Sequence, residues 1–591
     1  MTPHLLALGV SAGAWVGFAV DWVIVALATV AAVRLRHPVV VLIAAVLLGG
    51  WWSARALQTF DPPPAGRVDG WITVTSDPRP AGPVGVRASA IWGVHRVSIT
   101  AHGPLAGRLD DRLAGERVRV VGAFQPLRAG DDFARWRHEV GSISVDEIRG
   151  HSAGSPLTQA TNAIRRLLAD GARSLDRDDR AIFTGMVLGD DREQSAVVAD
   201  DFRAAGLGHL LVVSGQNVAF MIALLGPLTR RFRPAGRLVV VAVALVGFVT
   251  MTRFEASVLR ASAMAGVSVG AAVLGGPIDG RRTLSWSVVV LIAVDPFLVR
   301  VLAFQLSVLA TGGIVWLSGP LAARLAGPDL FRVAVSTTLG AQLAVAPLLV
   351  LVFGPVPLAS LPANLLAGPA SGPIMMWGWT GGLVAGLVGE PLAGWLHVPT
   401  VGLVGWVRGV AAIAATGPHV TVGALGVLGL GGAVGGALSG RRTMSWAGGA
   451  IAAFVTINAC LNVPHVPEGT SALDVGVLVH RDGVIAVELD DPRRPREVLE
   501  ALRLAGVRRI DLVIATDGDR ADADAVIAIH RRFGPVPTVA PPLHRVPGGR
   551  SVHPGNTVLL GSLRVDPVSG GAGYELVVRA CAAWSCQDSS S

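Results

Sequence analysis

The amino-acid sequence predicts a polytopic α-helical membrane protein with a small all-β domain near its N-terminus and an α/β domain at its C-terminus. Three observations carry this prediction. Residues of the AVILMFWYC set make up 51% of the 591 positions and charged residues only 16%, with a mean hydropathy of +0.54. A water-facing surface needs more charge, so a disordered chain, a coiled coil and an ordinary soluble enzyme are excluded. Nearly everything from Leu210 to about Val463 is apolar, whereas about 66–150 and 468–591 return to soluble-type patterning.

The first 56 residues read as two or three membrane segments: Leu5 to Val20, Trp22 to Val33 and Val39 to Trp52. A cleaved signal peptide does not fit, because further apolar runs follow at once with no clear cleavage site between them. From 66 to 150, stretches such as GWITVTSDP, VRASAIWGV and RVRVVGAF alternate apolar with polar residues at period two between Gly/Pro turns. Five or six strands of this kind predict an OB-like barrel. Residues 157–180 have helical periodicity with Arg165 and Arg166 on the polar side, which suits either an interfacial amphipathic helix or an ordinary surface helix.

Residues 181–463 form the main membrane region. No Asp, Glu, Lys or Arg occurs between Val333 and Gly389. That stretch makes about 85 Å of helix, so it must cross a bilayer core of about 30 Å at least twice. Pro347, Pro355, Pro357, Pro362 and Pro369 predict broken or re-entrant helices, tolerated where protein or a wet cavity satisfies the freed backbone groups. Arginine-bearing loops give the orientation. Arg34/Arg36, the cluster Arg230, Arg231, Arg233 and Arg237, Arg281/Arg282 and Arg441/Arg442 are the cytoplasmic candidates. Two spans fit between Leu238 and Leu274 and about six between Leu284 and Ser439, so the basic loops fall on one side. The β domain and the C-terminal domain then face outside, and a change of parity would flip the tail. The expected location is the cell (inner or plasma) membrane.

The net charge is +8, and all 50 cationic side chains are arginine. Most of this bias is compositional; the functional alternative is attraction to a polyanion or to anionic lipid headgroups. Cys460 lies in an apolar stretch as a packed thiol. Cys581 and Cys586 form either a local disulfide or two unpaired thiols, and the cysteines lack the paired spacing of a zinc site.

The most informative run is GLGHLLVVSGQNVAF from Gly206 to Phe220. His209 opens it, Ser214, Gln216 and Asn217 lie inside it, and Gly215 lets the backbone break or pack closely. Polar groups at bilayer depth either line a hydrated path or hydrogen-bond between helices. Arg253, Glu255, Arg260, Gln305, Ser307, Gln342 and Asn364 repeat the theme on other segments. Arg253 and Glu255 are placed to neutralise each other, which leaves Arg260 as the candidate for a cation facing a cavity.

LGDDREQ from Leu188, FRAAGLGHLLVVSGQNVA from Phe202, RFEASVLRASAM from Arg253, DPFLVRVLAFQLSVLATGGI from Asp295, AQLAVAPL from Ala341 and LASLPANLLAGP from Leu358 occur in one order. Together they resemble the ComEC family of competence proteins, the inner-membrane channels for DNA uptake. The resemblance covers roughly residues 183–369. It implies passage of single-stranded DNA through the bilayer, with His209, Ser214, Gly215, Gln216, Asn217, Arg253, Arg260, Gln305, Ser307, Gln342 and Asn364 along the path. It also implies an OB-like domain between membrane helices, and partners that deliver and pull the strand: an external DNA-binding receptor and an ATPase or helicase. A homo-oligomer is compatible with it. No Walker-type phosphate loop is present in the chain, so the energy comes from a partner or from the membrane potential.

Family members often end in a metallo-β-lactamase-like domain, and the entry strand resembles Ala472-Leu-Asp474-Val-Gly476. At the slots of the metal loop stand Asp517, Asp519 and Asp522, with both histidines gone. A two-metal hydrolase needs His and carboxylate ligands around an activated water. The expectation is therefore a degenerate fold without nuclease activity and without a cofactor, in which the three aspartates are weak candidates for a divalent cation. Two other classes were weighed. A secondary transporter would need paired intramembrane carboxylates, in which this core is poor. A membrane-bound hydrolase using His209 and Ser214 lacks an orienting acid, and five residues separate the pair.

Overall fold

The computed structural model describes residues 3–439, 450 and 469–580, less short gaps at 19, 36, 59–61, 82–84, 129–130, 274–278, 355, 417–420, 423, 482, 543, 561–562 and 571–572. All three cysteines and the pair Arg441/Arg442 lie outside the described residues. Helices α1 (Pro3–Val16), α2 (Trp22–Leu35) and α3 (Pro38–Gln58) form the N-terminal group. The backbones of α1 and α3 touch: a Cβ at Gly13 would lie 2.0 Å from the Val46 carbonyl oxygen. Small residues permit this close approach where lipid removes the hydrophobic drive between helices.

The β domain follows as β1 (Gly66–Val74), β2 (Arg79–Pro80), β3 (Gly85–Trp92), β4 (His95–His102), helix α4 (Pro104–Asp110), β5 (Arg117–Pro126), helix α5 (Asp132–Trp136) and β6 (Glu139–Ser152). Pairing runs β1–β3–β4–β6–β5 and back to β1, closing a ring in which only β4 and β6 are parallel. The period-two pattern is why it closes over a core: Ile72, Val74, Ala90, Val97, Ile99, Val118, Val120 and Ile143 all point inward.

Next come α6 (Pro156–Gly171), α7 (Arg177–Leu188), α8 (Ala196–Ala204), α9 (Gly215–Thr229), α10 (Pro234–Met251), α11 (Ala256–Val273), α12 (Gly280–Val294), α13 (Leu302–Ala322) and α14 (Asp329–Phe353). After the short strand β7 (Val356–Pro357) lie α15 (Ser360–Trp377), α16 (Leu383–Val388), α17 (Leu392–Leu396) and α18 (Val398–Thr416), then β8 (Thr421–Val422), paired with β7, and α19 (Ala424–Ser439). Segments of four helices are long and apolar enough to cross a membrane: Pro38–Leu57 in α3, all of α13 and α14, and Val398–Ala415 in α18; several others are apolar but shorter. The proline-rich stretch breaks between α14 and α15, where Pro357 lies in β7, but not at every proline: Pro347 sits inside a continuous α14 and Pro369 and Pro373 inside a continuous α15, and a π-turn at Gly378–Gly382 joins α15 to α16.

Leu168, Phe183, Phe202, Leu211, Met221, Phe248, Ile374 and Val407 form the central core, which ties α6, α7 and α8 to the membrane helices. Helix α6 packs one face against this core. Its Arg165, expected on a polar face, is 3% exposed.

The C-terminal unit is a six-stranded sheet of β9 (Gly469–Leu473), β10 (Val477–Arg481), β11 (Ile485–Leu489), β12 (Leu512–Ala515), β13 (Thr538–Ala540) and β14 (Arg550–Ser551), in the order β14-β13-β12-β11-β10-β9. Strands β11 to β14 are parallel and β9 to β11 antiparallel. Helices Pro495–Leu504 and Arg520–Phe533 pack on one face over Val479, Val487 and Val513. A three-stranded sheet, β15 (Val558–Leu560), β16 (Leu563–Gly570) and β17 (Gly573–Ala580), packs on the other over Ala486, Leu512 and Ile514.

Both soluble units gather at one end of the helices. The carbonyl of Trp15 at the end of α1 accepts from Arg300, that of Met251 at the end of α10 accepts from Arg165, and Asp295 at the end of α12 meets His138 of the β domain. The C-terminal unit is held on α8 by ion pairs of Arg503 with Asp200 (3.2 Å), Arg532 with Asp201 and Arg203 with Glu500 (3.5 Å). The arginines at 34, 230–237 and 281–282 occupy the opposite helix ends.

Candidate functional site

The run from Gly206 to Asn217 is a helix break. Gly206 takes φ +68° after α8, a 3₁₀ turn covers Gly208–Leu211, Val212 and Ser214 are extended, and α9 starts at Gly215. Side chains satisfy the backbone groups that the break frees. The Ser257 hydroxyl donates to the Val213 carbonyl (3.0 Å), and the Asn217 amide donates to the Met186 carbonyl (2.8 Å). The Ser214 hydroxyl donates to Asn217 Oδ1 at 3.3 Å. Ser214, Asn217 and Ser371 line a narrow cavity with Met186, Leu210 and Val212.

Arg260 on α11 reaches this break and is 7% exposed. Its Nε donates to the Ser307 hydroxyl (2.7 Å) and its Nη1 lies 3.1 Å from the Met264 sulfur. Among the described residues no carboxylate lies within ion-pair range of it. A Cβ at Gly215 would lie 2.6 Å from Arg260 Nη2, so the glycine makes room for the guanidinium.

The other candidates divide. Ser360 meets both Gln342, whose amide donates to the Ser360 hydroxyl (3.4 Å), and Asn364, whose amide donates to its carbonyl (2.7 Å). Ser360 also abuts Gly206, where a Cβ would lie 2.3 Å from its own. The break is therefore flanked by Ser360 at one end and by Arg260 with Ser307 at the other. The Gln305 amide caps Val299 (2.8 Å), and His209 and Gln216 are exposed.

Arg253 belongs elsewhere. It sits at φ +60° between α10 and α11 and grips Asp77 of the β domain at 2.9 Å, with Asn162 accepting from it at 2.9 Å. Arg165 joins the same carboxylate (2.8 Å) and donates to the Leu188 and Met251 carbonyls. Asp190, paired with Arg192 (2.7 Å), completes the node. Burial pulls the Asp77 carboxyl up, but Arg165 and Arg253 override it and hold its pKa at about 2. Among the described residues Arg253 makes no ion pair with Glu255, which is exposed. Asp77 had no visible signal in the sequence; LGDDREQ, which contributes Asp190, did.

In the C-terminal unit the three aspartates serve the start of a helix. Asp519 caps helix Arg520–Phe533 by accepting from the Asp522 amide (2.9 Å), and Asp522 Oδ2 accepts from the amides of Gly518 (2.8 Å) and Asp517 (3.2 Å). Burial pushes the Asp522 carboxyl up to about 7, with Asp519 and Asp517 adding to it against the Gly518 amide. Among the described residues no group of three or more His, Cys, Asp or Glu is arranged to hold a metal ion. His480 lies between Thr470 (2.9 Å) and Glu488 (2.6 Å), and His530 meets Thr538 (2.8 Å).

Residues 186–442 match the model of the family described as Competence protein. No curated protein and no solved structure matches the chain. The matched residues hold the helix break, Arg260 and Ser307 together, and the match supports a ComEC-family competence protein with a role in DNA uptake in natural transformation.

Proposed function

We propose that the protein passes single-stranded DNA through the cell membrane into the cytoplasm. The observation that carries this reading is Arg260: a buried cation with no carboxylate partner among the described residues, set beside a broken helix whose hydroxyl and amide groups face one another. A phosphate backbone cannot enter hydrocarbon, and such a cation attracts phosphates without regard to sequence. With the arginine-rich helix ends in the cytoplasm, both soluble units stand outside, on the side where DNA arrives.

The strand order of the β domain supports the OB-like reading, in which a cationic groove and stacking aromatics hold a single strand. Trp71 on β1 is 41% exposed, Arg117 lies over its ring at 5.4 Å, and Arg119 is its cross-strand partner. The C-terminal unit acts in this reading as a scaffold without nuclease activity; the capping roles of Asp519 and Asp522 support that. An external receptor delivers the strand, and a partner ATPase or helicase, or the membrane potential, drives it.

The test is uptake of labelled DNA in a deletion strain complemented with Arg260→Ala or Arg260→Lys. Arg260→Ala is expected to abolish cytoplasmic label at normal protein abundance and normal surface binding, with Arg260→Lys retaining part of it. Normal entry in the deletion strain overturns the proposal, as does full activity of Arg260→Ala.

A further inference from the structure

A cavity of about 440 Å³ lies between α1, α12, α13 and α14. Its walls are apolar: Val288, Leu309, Gly312 and Trp316 are among its lining residues. The few hydroxyls in it are already satisfied. Ser11 donates to the Ala7 carbonyl, and Ser285 donates to the Arg281 carbonyl and meets His4 Nδ1 at 2.6 Å. Leu8, Leu309 and Trp316 are 63%, 39% and 37% exposed, so the cavity opens sideways at the surface that faces lipid.

The first turns of α1 and α12 and the last turns of α13 place His4, Ser285 and Trp316 at the arginine-rich end of the helices. There Arg281 stands over the Trp316 ring, with its guanidinium carbon 6.0 Å from the ring centre. Arg282 adjoins it, with Asp279 only at the edge of ion-pair range, 3.9 Å. Among the described residues no carboxylate pairs with the Arg281 side chain. An apolar slot open to lipid, with Arg281 over its Trp316 wall and Arg282 next to it in the chain, matches one kind of ligand: an acyl chain in the slot and an anionic headgroup at the arginines.

We propose that this cavity is a binding site for an anionic glycerophospholipid of the cytoplasmic leaflet, with the phosphate on Arg281 and Arg282 and an acyl chain against Val288, Leu309 and Gly312. Free phosphate would satisfy the arginines but leave the slot unfilled, and a zwitterionic lipid would fill the slot but cancel the charge at the arginines. The proposal does not depend on the reading of the DNA path.

The experiment is native mass spectrometry of the full chain in detergent with added phosphatidylglycerol, phosphatidylcholine of the same chains, or inorganic phosphate. Phosphatidylglycerol is expected to remain bound where phosphatidylcholine does not, and phosphate is expected not to displace it. Removing both cations in Arg281→Ala/Arg282→Ala is expected to weaken retention about 30-fold, from the attraction of two arginines at an anionic surface. Gly312→Leu fills the slot from its wall. A Cβ there meets only the Trp316 ring, at 3.7 and 3.8 Å, so the helix accepts it. That variant is expected to lose the lipid with both arginines intact. Arg231→Ala/Arg233→Ala, which removes two cations from another loop at the same end, is expected to behave as wild type. Equal retention of the two lipids, displacement by phosphate, wild-type retention in either site variant, or equal loss in the control pair would each overturn the proposal.

Discussion

Asp77→Asn tests the joint between the β domain and the membrane helices. The native carboxylate is 11% exposed and accepts from Arg165 at 2.8 Å, from Arg253 at 2.9 Å and from the Ala114 amide at 2.9 Å. Asparagine keeps the shape and the acceptor for Ala114 but leaves two buried guanidinium groups facing each other. The pKa of Asp77 falls from 3.8 to about 2, and at about 1.4 kcal/mol per unit this corresponds to roughly 2.5 kcal/mol of stability at neutral pH. Breaking a buried pair typically costs about 3–5 kcal/mol; the lower figure is the better guide here, because Asp190 remains near Arg165 at 3.5 Å. About 2.5 kcal/mol is roughly a 60-fold shift toward the undocked state. Peptide-resolved hydrogen exchange over residues 112–118 and 186–194 reads that shift directly at neutral pH. The folded pKa is depressed, so the contribution is complete above about pH 4 and is lost as pH falls through 2. Wild-type protein should therefore keep its protection at pH 5. Exchange in Asp77→Asn within twofold of wild type at neutral pH would refute the reasoning, as would loosening of wild type between pH 7 and pH 5.

Three further outcomes are expected. Gly215→Ala pushes a methyl group into Arg260 Nη2, at 2.6 Å; overpacking of about 1–3 kcal/mol should displace the guanidinium and lower DNA uptake at unchanged membrane abundance, measured by labelled-DNA entry beside an immunoblot. Asp522→Asn should stabilise helix Arg520–Phe533 at pH 8 and change little at pH 4: a buried carboxyl with its pKa raised to about 7 binds more protons folded than unfolded, so native stability falls as pH rises from about 4 to 7, and exchange over residues 517–529 at the two pH values checks it. Asp200→Ala breaks the 3.2 Å pair with Arg503 and leaves a 12% exposed cation without its partner; faster proteolytic release of the C-terminal unit is expected, with partial recovery in the exchanged pair Asp200→Arg/Arg503→Asp.

Much of the architecture was legible because it is local. The period-two pattern of 66–150 became strands spanning Gly66 to Ser152, and the α/β unit expected at the C-terminus appeared as strands with helices Pro495–Leu504 and Arg520–Phe533. Gly215 was read as a place for the backbone to break or pack closely; α9 starts there after a break, and Arg260 packs closely against it. The partners of charged groups were less legible. Arg253 was expected to meet Glu255 two residues away and instead meets Asp77, 176 positions earlier. Arg165 was assigned to a wet face and is buried, because two carbonyls and two carboxylates converge on it. Of the aspartates at the metal-loop slots, weak ligand candidates in a linear reading, Asp519 caps a helix and Asp522 accepts from two loop amides in space.

The sequence alone determined which segments are apolar and which helix ends carry the arginines, since hydropathy and arginine placement act within a turn or a loop. Only the tertiary structure decided which cation is neutralised and which is left facing a polar break. Arg253 and Arg260 lie seven residues apart in one motif, yet a carboxylate from the β domain reaches the first and none among the described residues reaches the second. Ion pairing falls off over a few ångströms, and those few ångströms are set by how distant elements dock.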